Sequence, residues 1–163
     1  EVAPSRFGGT GVDSQSLEHT EAYPQRLEAG TVNLLGIMGL SASLDFLAAR
    51  GVEAIHAREM ALWQRLRQGL AEILRVRLYG SADPANRVAV LLANVEGLRP
   101  ADAGDILDAD HDIAVRVGLH CAPLVHQDLG TSPTGAIRFS LGAFNTEEHV
   151  DQAIAAMAAI AES

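Results

Sequence analysis

The spacing of the hydrophobic residues changes twice along the chain. Residues 1–30 show no sustained period and are rich in Gly, Ser and Pro, which predicts a loop segment. From Thr31 the apolar residues recur every three or four positions, which predicts a helix that ends near Arg50, before Gly51. A second amphipathic helix is predicted from the stripe of Ile55, Leu62, Leu66, Leu70 and Ile73.

Beyond the second helix the apolar period shortens, and strands alternate with helices irregularly. The predicted elements are strands at 76–79 and 88–95, a helix at 100–108, strands at 113–116 and 136–141, and a last helix after Thr146. This order lacks a regular βαβ alternation. It predicts an α+β fold with a small, largely antiparallel sheet packed against helices. We interpret residues 1–30 as a linker and 31–163 as one domain.

Composition narrows the possible partners. The formal charge is −9, and the twelve basic residues are spread singly, so the sequence has no basic stripe for nucleic acid. The longest apolar run, 88–95, is far shorter than the about 20 residues that span a bilayer. A single cysteine cannot form an internal disulfide. We therefore expect a soluble cytoplasmic protein that binds neither nucleic acid nor membrane.

Two further features point to a longer parent protein and limit the chemistry. The sequence begins with Glu1 in loop-like sequence rather than with Met, so we expect it to be a piece of something longer. All twelve basic side chains are arginine. A chain without lysine cannot form a Schiff base through its own side chains.

The only cysteine lies in the stretch RVGLHCAPL and has three possible interpretations. Cys121 could be a buried structural thiol, a metal ligand together with His120 and His126, or a nucleophile. Gly118 and Pro123 favour a short turn that exposes the thiol. Structural zinc usually takes four ligands, and no second Cys/His cluster is present, so we predict no metal site.

An arginine interrupts the apolar strand AIRFSL. Arg138 alternates with Ile137 and Phe139, so it lies on the face opposite the apolar side chains. It could simply point to solvent from an edge strand. A guanidinium also suits bidentate binding of a carboxylate, and Arg116 could complete an anion site beside Cys121.

Two glycine–threonine stretches are candidate backbone anion sites. GGTG includes Gly9 and Thr10, and EAGTVN includes Gly30 and Thr31. Gly30 and Thr31 precede a predicted helix, whose N-terminal N–H groups suit a phosphate. Thr31 is equally suited to be an ordinary helix N-cap.

In this order the stretches FGGTGVDS, PQRLEAGTVNLLGI, IAVRVGLHCAPLVH and GAIRFSLGAFNTEEHVD resemble the C-terminal portion of the cysteine desulfurase and selenocysteine lyase family. These are class V aminotransferase-like enzymes that use pyridoxal 5'-phosphate on the type I fold. The R-x-G-x-H-C form of the cysteine loop is similar to the sulfur-mobilising and selenocysteine lyase subgroup. The resemblance covers nearly the whole chain.

The resemblance implies roles for the candidate residues. Cys121 would carry a persulfide drawn from L-cysteine or selenocysteine, with His120 beside it, for delivery to a sulfur-acceptor protein. Arg138 would bind the substrate carboxylate, with Arg116 nearby. The phosphate of the cofactor in a homodimer would be met by Thr31, Gly30, Gly9 and Thr10.

The family residues that hold the cofactor ring, including its lysine, precede the matched region. No such lysine exists here, so we expect no covalently bound cofactor and no activity from this chain alone. Two alternatives stay open. The parent could catalyse another reaction of the class, as a selenocysteine lyase, aminotransferase, epimerase or hydrolase, or the chain could be a non-catalytic interaction or dimerisation domain.

Overall fold

The computed structural model describes residues 2–11, 13, 15–85 and 87–163. The chain divides into two compact units, residues 1–50 and 51–163. The boundary at residue 30, which the sequence suggested between a linker and one domain, stays a prediction.

The described residues of the first unit form irregular segments, a short 3-10 turn at Gln25–Leu27 and helix α1, Leu34–Arg50. Helix α1 begins at Leu34, later than a cap at Thr31 would place it. The side-chain oxygen of Asn33 accepts a hydrogen bond from the Gly36 N–H at 2.9 Å, so Asn33 caps the helix. The N-cap interpretation of Thr31 was therefore wrong.

Helix α1 has no buried residue, although most of its side chains are apolar. Its exposed large residues lie all around the helix: Leu34, Leu35, Ile37, Met38, Leu40, Leu44 and Leu47. A helix that is hydrophobic on every side is normally covered by protein. Among the described residues, no single helix is both long and apolar enough to cross a membrane.

The described residues of the second unit form a four-stranded sheet and four helices. The chain order is α2 (Val52–Ala71), β1 (Val76–Tyr79), β2 (Val90–Val95), α3 (Pro100–His111), β3 (Arg116–Gly118), α4 (Pro123–Asp128), β4 (Ala136–Ser140) and α5 (Glu147–Glu162). The strand order is β1-β2-β4-β3, and all three neighbouring pairs are antiparallel. The predicted α+β fold with a small antiparallel sheet is confirmed.

One face of the sheet forms the core. Leu91 and Ala93 of β2 and Ile137 and Phe139 of β4 are buried together with residues of α2, α3 and α5. Trp63 of α2 is 1% exposed and fills much of this space. Successive side chains of a strand point to opposite faces of the sheet. The face of β4 opposite the core therefore carries Arg138, as the sequence predicted.

Between residues 111 and 130 one predicted element was misplaced and another element was missed. Residues 113–116 were expected to form the third strand, but pairing with β4 starts only at Arg116. The preceding helix extends to His111, and Asp112 ends it with a left-handed φ of 54°, which delays the strand. Helix α4 was not predicted, although Pro123 stands at its first position, where proline is favoured.

Two glycines set the spacing where β3 ends and β4 begins. A Cβ added to Gly135 would lie 2.1 Å from the backbone of Gly118, so the two backbone segments are in direct contact there. Gly135 also has a φ of +80°, which side chains of L-residues rarely adopt. Only glycine fits at Gly135 without moving one of the strands.

We expect Gly135→Ala to lower the free energy of unfolding of this chain by more than about 1 kcal/mol, the cost of the left-handed conformation alone, because the clash with Gly118 adds to it. Urea denaturation followed by circular dichroism measures the effect. Gly142→Ala is the matched control, since a Cβ there meets nothing within 4 Å. Equal unfolding free energies for the two variants would contradict the prediction.

Candidate active site

Two arginines lie side by side on the open face of the sheet. Arg116 of β3 and Arg138 of β4 are direct partners in the antiparallel register, which puts their Cβ atoms roughly 5 Å apart. Like charges directly opposite each other destabilise a strand pair. The Nε of Arg138 is buried and has no hydrogen-bond partner among the described residues. The pair is therefore suited to an anion with two oxygens, such as a carboxylate.

The cysteine lies at the tip of a strained turn that follows β3. The Ala122 N–H donates to the Leu119 carbonyl at 2.8 Å. The two residues between them, His120 and Cys121, have φ values of 52° and 58°. Positive φ at both central positions is the pattern of a type I′ turn, which normally contains Gly, Asn or Asp. Cys121 is exposed at this tip, so it is not a buried structural thiol.

This turn is unfavourable by itself, because a left-handed conformation costs about 1–2 kcal/mol for each residue with a Cβ. Hydrogen bonds of the His120 ring hold it in place. Its Nε2 lies 3.2 Å from the Arg116 carbonyl, and its Nδ1 lies 3.1 Å from Nε2 of His126. The ring thus joins the turn to β3 on one side and to α4 on the other.

His126 continues the chain of hydrogen bonds into the interior. It is 1% exposed, and its Nδ1 lies 2.7 Å from Oγ1 of Thr131, which is 5% exposed. Both ring nitrogens of His126 are thereby engaged within the protein, which leaves neither free to bind a metal ion. The observed geometry therefore favours a role for His126 in holding the turn over the metal-ligand interpretation.

The environment of His120 disfavours its charged form. Burial is the largest cause that lowers the pKa of its imidazole below the ordinary value. The hydrogen bond to the Arg116 carbonyl acts in the opposite direction, and the positive charges of Arg138 and Arg116, with the neighbouring His126 ring, lower the pKa further. The ring next to Cys121 is accordingly held as a neutral imidazole over a wider pH range.

The predicted phosphate-binding residues lie in the first unit, where the structure brings the two glycine stretches together. The Gly30 N–H donates to the Gly9 carbonyl at 2.7 Å. A Cβ on Gly11 would lie 2.3 Å from the Gly30 oxygen, so this contact has no room for a side chain. Thr31 is exposed, whereas the Thr10 hydroxyl donates to the Asp13 carbonyl.

Sequence reasoning missed two residues that support the site. Thr131 lies in the stretch GTSPTG, which has the composition of a loop and gives no indication of a buried hydroxyl. Asn94 of β2 accepts from the Ile137 N–H at 3.3 Å and donates to the Gly135 carbonyl at 3.2 Å, which fixes the start of β4. A polar residue in the apolar strand VLLANV was the available signal for Asn94.

Comparison with known proteins defines the family. Residues 1–153 match the family described as aminotransferase class-V, and the chain belongs to that family. It is 35% identical over 96% of its length to a probable cysteine desulfurase of Xylella fastidiosa, and 34% identical over 98% to a cysteine desulfurase of Salmonella agona. The chain spans only 37% and 39% of these relatives' lengths.

Solved structures agree with this assignment. The apo structure of the cysteine desulfurase from Thermococcus onnurineus superposes with a TM-score of 0.80 at 36% identity. The cysteine desulfurase CsdA from Escherichia coli, in an S-sulfonic acid form, gives 0.77 at 30% identity. In each case 98% of this chain covers 39% of the solved chain.

The lowered pKa of His120 predicts a pH dependence of stability. Below its ordinary pKa the unfolded chain binds a proton at His120 that the folded chain does not, so stability rises with pH in this window and is lost as the pH falls. We expect His120→Gln to flatten this part of the curve. Urea unfolding from neutral pH downwards measures it, with His56→Gln on the exposed surface as the matched control. An unchanged slope in His120→Gln would refute the prediction.

Proposed function

We propose that this chain is the C-terminal portion of a pyridoxal phosphate-dependent cysteine desulfurase, in which Cys121 takes sulfur from L-cysteine as a persulfide. One observation carries the proposal: an exposed thiol stands at the tip of a turn that begins directly after the strand of Arg116, itself paired with Arg138. The similarity to cysteine desulfurases along the whole chain supports the same reaction.

The arginine pair recognises the amino-acid end of the substrate in this proposal. Arg138 binds the α-carboxylate of cysteine, because its buried Nε lacks a partner and its fork matches two carboxylate oxygens. Arg116 adds a second positive charge from the neighbouring strand. A bound carboxylate would also relieve the repulsion between the two guanidinium groups.

The sulfur transfer balances without an external oxidant. The Cys121 thiolate forms a new S–S bond to the substrate sulfur, and the C–S bond of the substrate breaks with its electron pair left on carbon. Proton uptake by that carbon gives alanine. Cysteine and one enzyme thiol thus become alanine and one enzyme persulfide, with all atoms accounted for.

The cofactor requirement is only partly met by this chain. When bound, pyridoxal phosphate withdraws electrons from the substrate α-carbon and so permits the C–S bond to break. The exposed Thr31, next to the contact between Gly9 and Gly30, offers a hydroxyl that suits a phosphate, whereas the Gly30 N–H is already bonded to the Gly9 carbonyl. Covalent attachment needs a lysine, which this sequence lacks, so we expect no turnover from the 163-residue chain alone.

Partners and location follow from the same proposal. We infer a homodimeric cytoplasmic parent that passes the persulfide to an acceptor protein. The exposed apolar surface of α1 supports the presence of further protein around this unit, from the same chain or a second copy. The exposed thiol is accessible to an acceptor, as delivery of the sulfur requires.

We expect Cys121→Ala and Cys121→Ser in the full-length protein to abolish persulfide formation from L-cysteine, because neither side chain supplies a sulfur nucleophile. Mass spectrometry of the protein after incubation with cysteine detects the persulfide, and alanine analysis measures turnover. The absorbance of bound pyridoxal phosphate, which should be unchanged, serves as the control. Normal alanine and sulfide release by both variants would eliminate Cys121 as the nucleophile.

Arg138→Lys in the full-length protein should raise KM for cysteine about 10–100-fold, because it keeps the charge but loses one charge-assisted hydrogen bond of about 1.5–3 kcal/mol. We expect a smaller effect on kcat. Steady-state kinetics of alanine formation separate the two constants. Arg77→Lys on β1 is the matched control on the same sheet, and similar KM values for the two variants would rule out Arg138 as the carboxylate anchor.

A further inference from the structure

The hydrogen bonds that run from Arg116 through His120 and His126 to Thr131 have a defined direction. The Arg116 carbonyl can only accept, so Nε2 of His120 carries the hydrogen there. In a neutral ring Nδ1 of His120 is then an acceptor, and Nε2 of His126 must donate to it. Neutral His126 in turn accepts at Nδ1 from the Thr131 hydroxyl. One backbone carbonyl thus fixes the tautomers of both rings.

The same groups can hold one more proton with every hydrogen bond kept. If His120 becomes doubly protonated, its Nδ1–H donates to Nε2 of His126, which must then carry its hydrogen on Nδ1 and donate it to Thr131. The Thr131 hydroxyl needs a new acceptor, and the His126 carbonyl lies 3.3 Å from it. The reversed arrangement is therefore available without moving the backbone.

We propose that Thr131 and the buried His126 are positioning residues that hold the Cys121 turn in two protonation states, with His126 changing its tautomer while the positive charge resides on His120. The protons balance: the hydrogen on Nε2 of His126 moves to Nδ1 of His120, and the Thr131 hydroxyl hydrogen moves to Nδ1 of His126. The proton taken from solvent remains on Thr131, which now donates to the His126 carbonyl.

The structure makes the neutral arrangement the ground state. The His126 carbonyl already accepts from the N–H groups of Thr131 at 2.9 Å and Ser132 at 3.1 Å, so the bond it offers the hydroxyl is a weak third one. The charged groups that act on His120 are Arg116 of β3 and Arg138 of β4, and His126 faces it from α4. All three oppose its protonation.

The hydrogen bonds among these residues are independent of any activity of the protein. The benefit of keeping the Cys121 turn in place during catalysis rests on the proposed function. A desulfurase cycle moves protons on and off groups around the thiol. If the Cys121 turn lost the His120–His126 bond at each protonation, the strained His120 and Cys121 conformations would lose their support. A series of hydrogen bonds that can reverse its direction keeps the thiol in one position in both protonation states.

Nitrogen-15 NMR of the chain labelled at histidine tests the proposal without cofactor or substrate, so its result is separate from the fate of the desulfurase proposal. At pH values above the titration of His120, both His120 and His126 should carry hydrogen on Nε2 and show an unprotonated Nδ1. As the pH falls through that transition, His120 should gain a second proton. His126 should exchange its pattern to a protonated Nδ1 and an unprotonated Nε2 at the same midpoint.

Two variants at one position supply the matched comparison. Thr131→Ser keeps a hydroxyl and should keep the tautomer exchange. Thr131→Val leaves the buried Nδ1–H of His126 without an acceptor in the protonated state, so it should lose the exchange while the tautomer at high pH stays as His120 fixes it. The exposed His56 provides a reference signal in every sample. The unmodified chain alone decides the main point, so the test survives if Thr131→Val does not fold.

Three outcomes would overturn the proposal. The first is a His126 that carries hydrogen on Nδ1 already at high pH. The second is a His126 that becomes doubly protonated together with His120, and the third is a His126 whose signals stay constant while His120 titrates. Retained tautomer exchange in a folded Thr131→Val variant would show that Thr131 has no part in the exchange.

Discussion

The antiparallel pairing of β3 with β4 is the constraint from which the candidate site follows. It places Arg116 opposite Arg138 and leaves only residues 119–122 for the chain to turn before helix α4 begins. The close approach of Gly118 and Gly135 fixes the spacing of the two strands at the point where the turn starts. A turn this short projects its central residues away from the sheet, so the thiol of Cys121 is presented to solvent.

The polar groups behind the turn explain why such a turn is stable. His126 and Thr131 are almost fully buried, and buried polar groups are stable only when their hydrogen bonds are satisfied. His126 bonds to Thr131 on one side and, on the other, to His120 of the His120–Cys121 turn. Burial of this network stiffens the turn, because a rearranged loop would leave a buried imidazole without partners.

The proposed desulfurase chemistry divides between this chain and the rest of its parent. The groups proposed to bind the carboxylate and to receive sulfur are here, on a sheet with its own hydrophobic core and on the turn that follows β3. The attachment of the cofactor requires a lysine that this sequence does not contain. The apolar exterior of α1 fits the same division, since a surface of that kind is normally covered by other protein.

Much of the second unit could be predicted from local pattern. The capping of α5 by Thr146, the proline at the start of α3 and the alternation of Arg138 with buried Ile137 and Phe139 all depend on neighbouring residues, and all are observed. The sequence also singled out Cys121, Arg116 and Arg138, because their chemistry is unusual in their surroundings.

Only the tertiary structure decided how these residues meet. The opposition of Arg116 and Arg138 depends on strand register, and the left-handed turn occurs at His–Cys, where local preference disfavours it. Thr131 gave no signal, because a threonine in a turn is common until a buried histidine is found beside it. Local sequence thus determined the elements and the reactive groups, whereas contacts between distant segments determined the site.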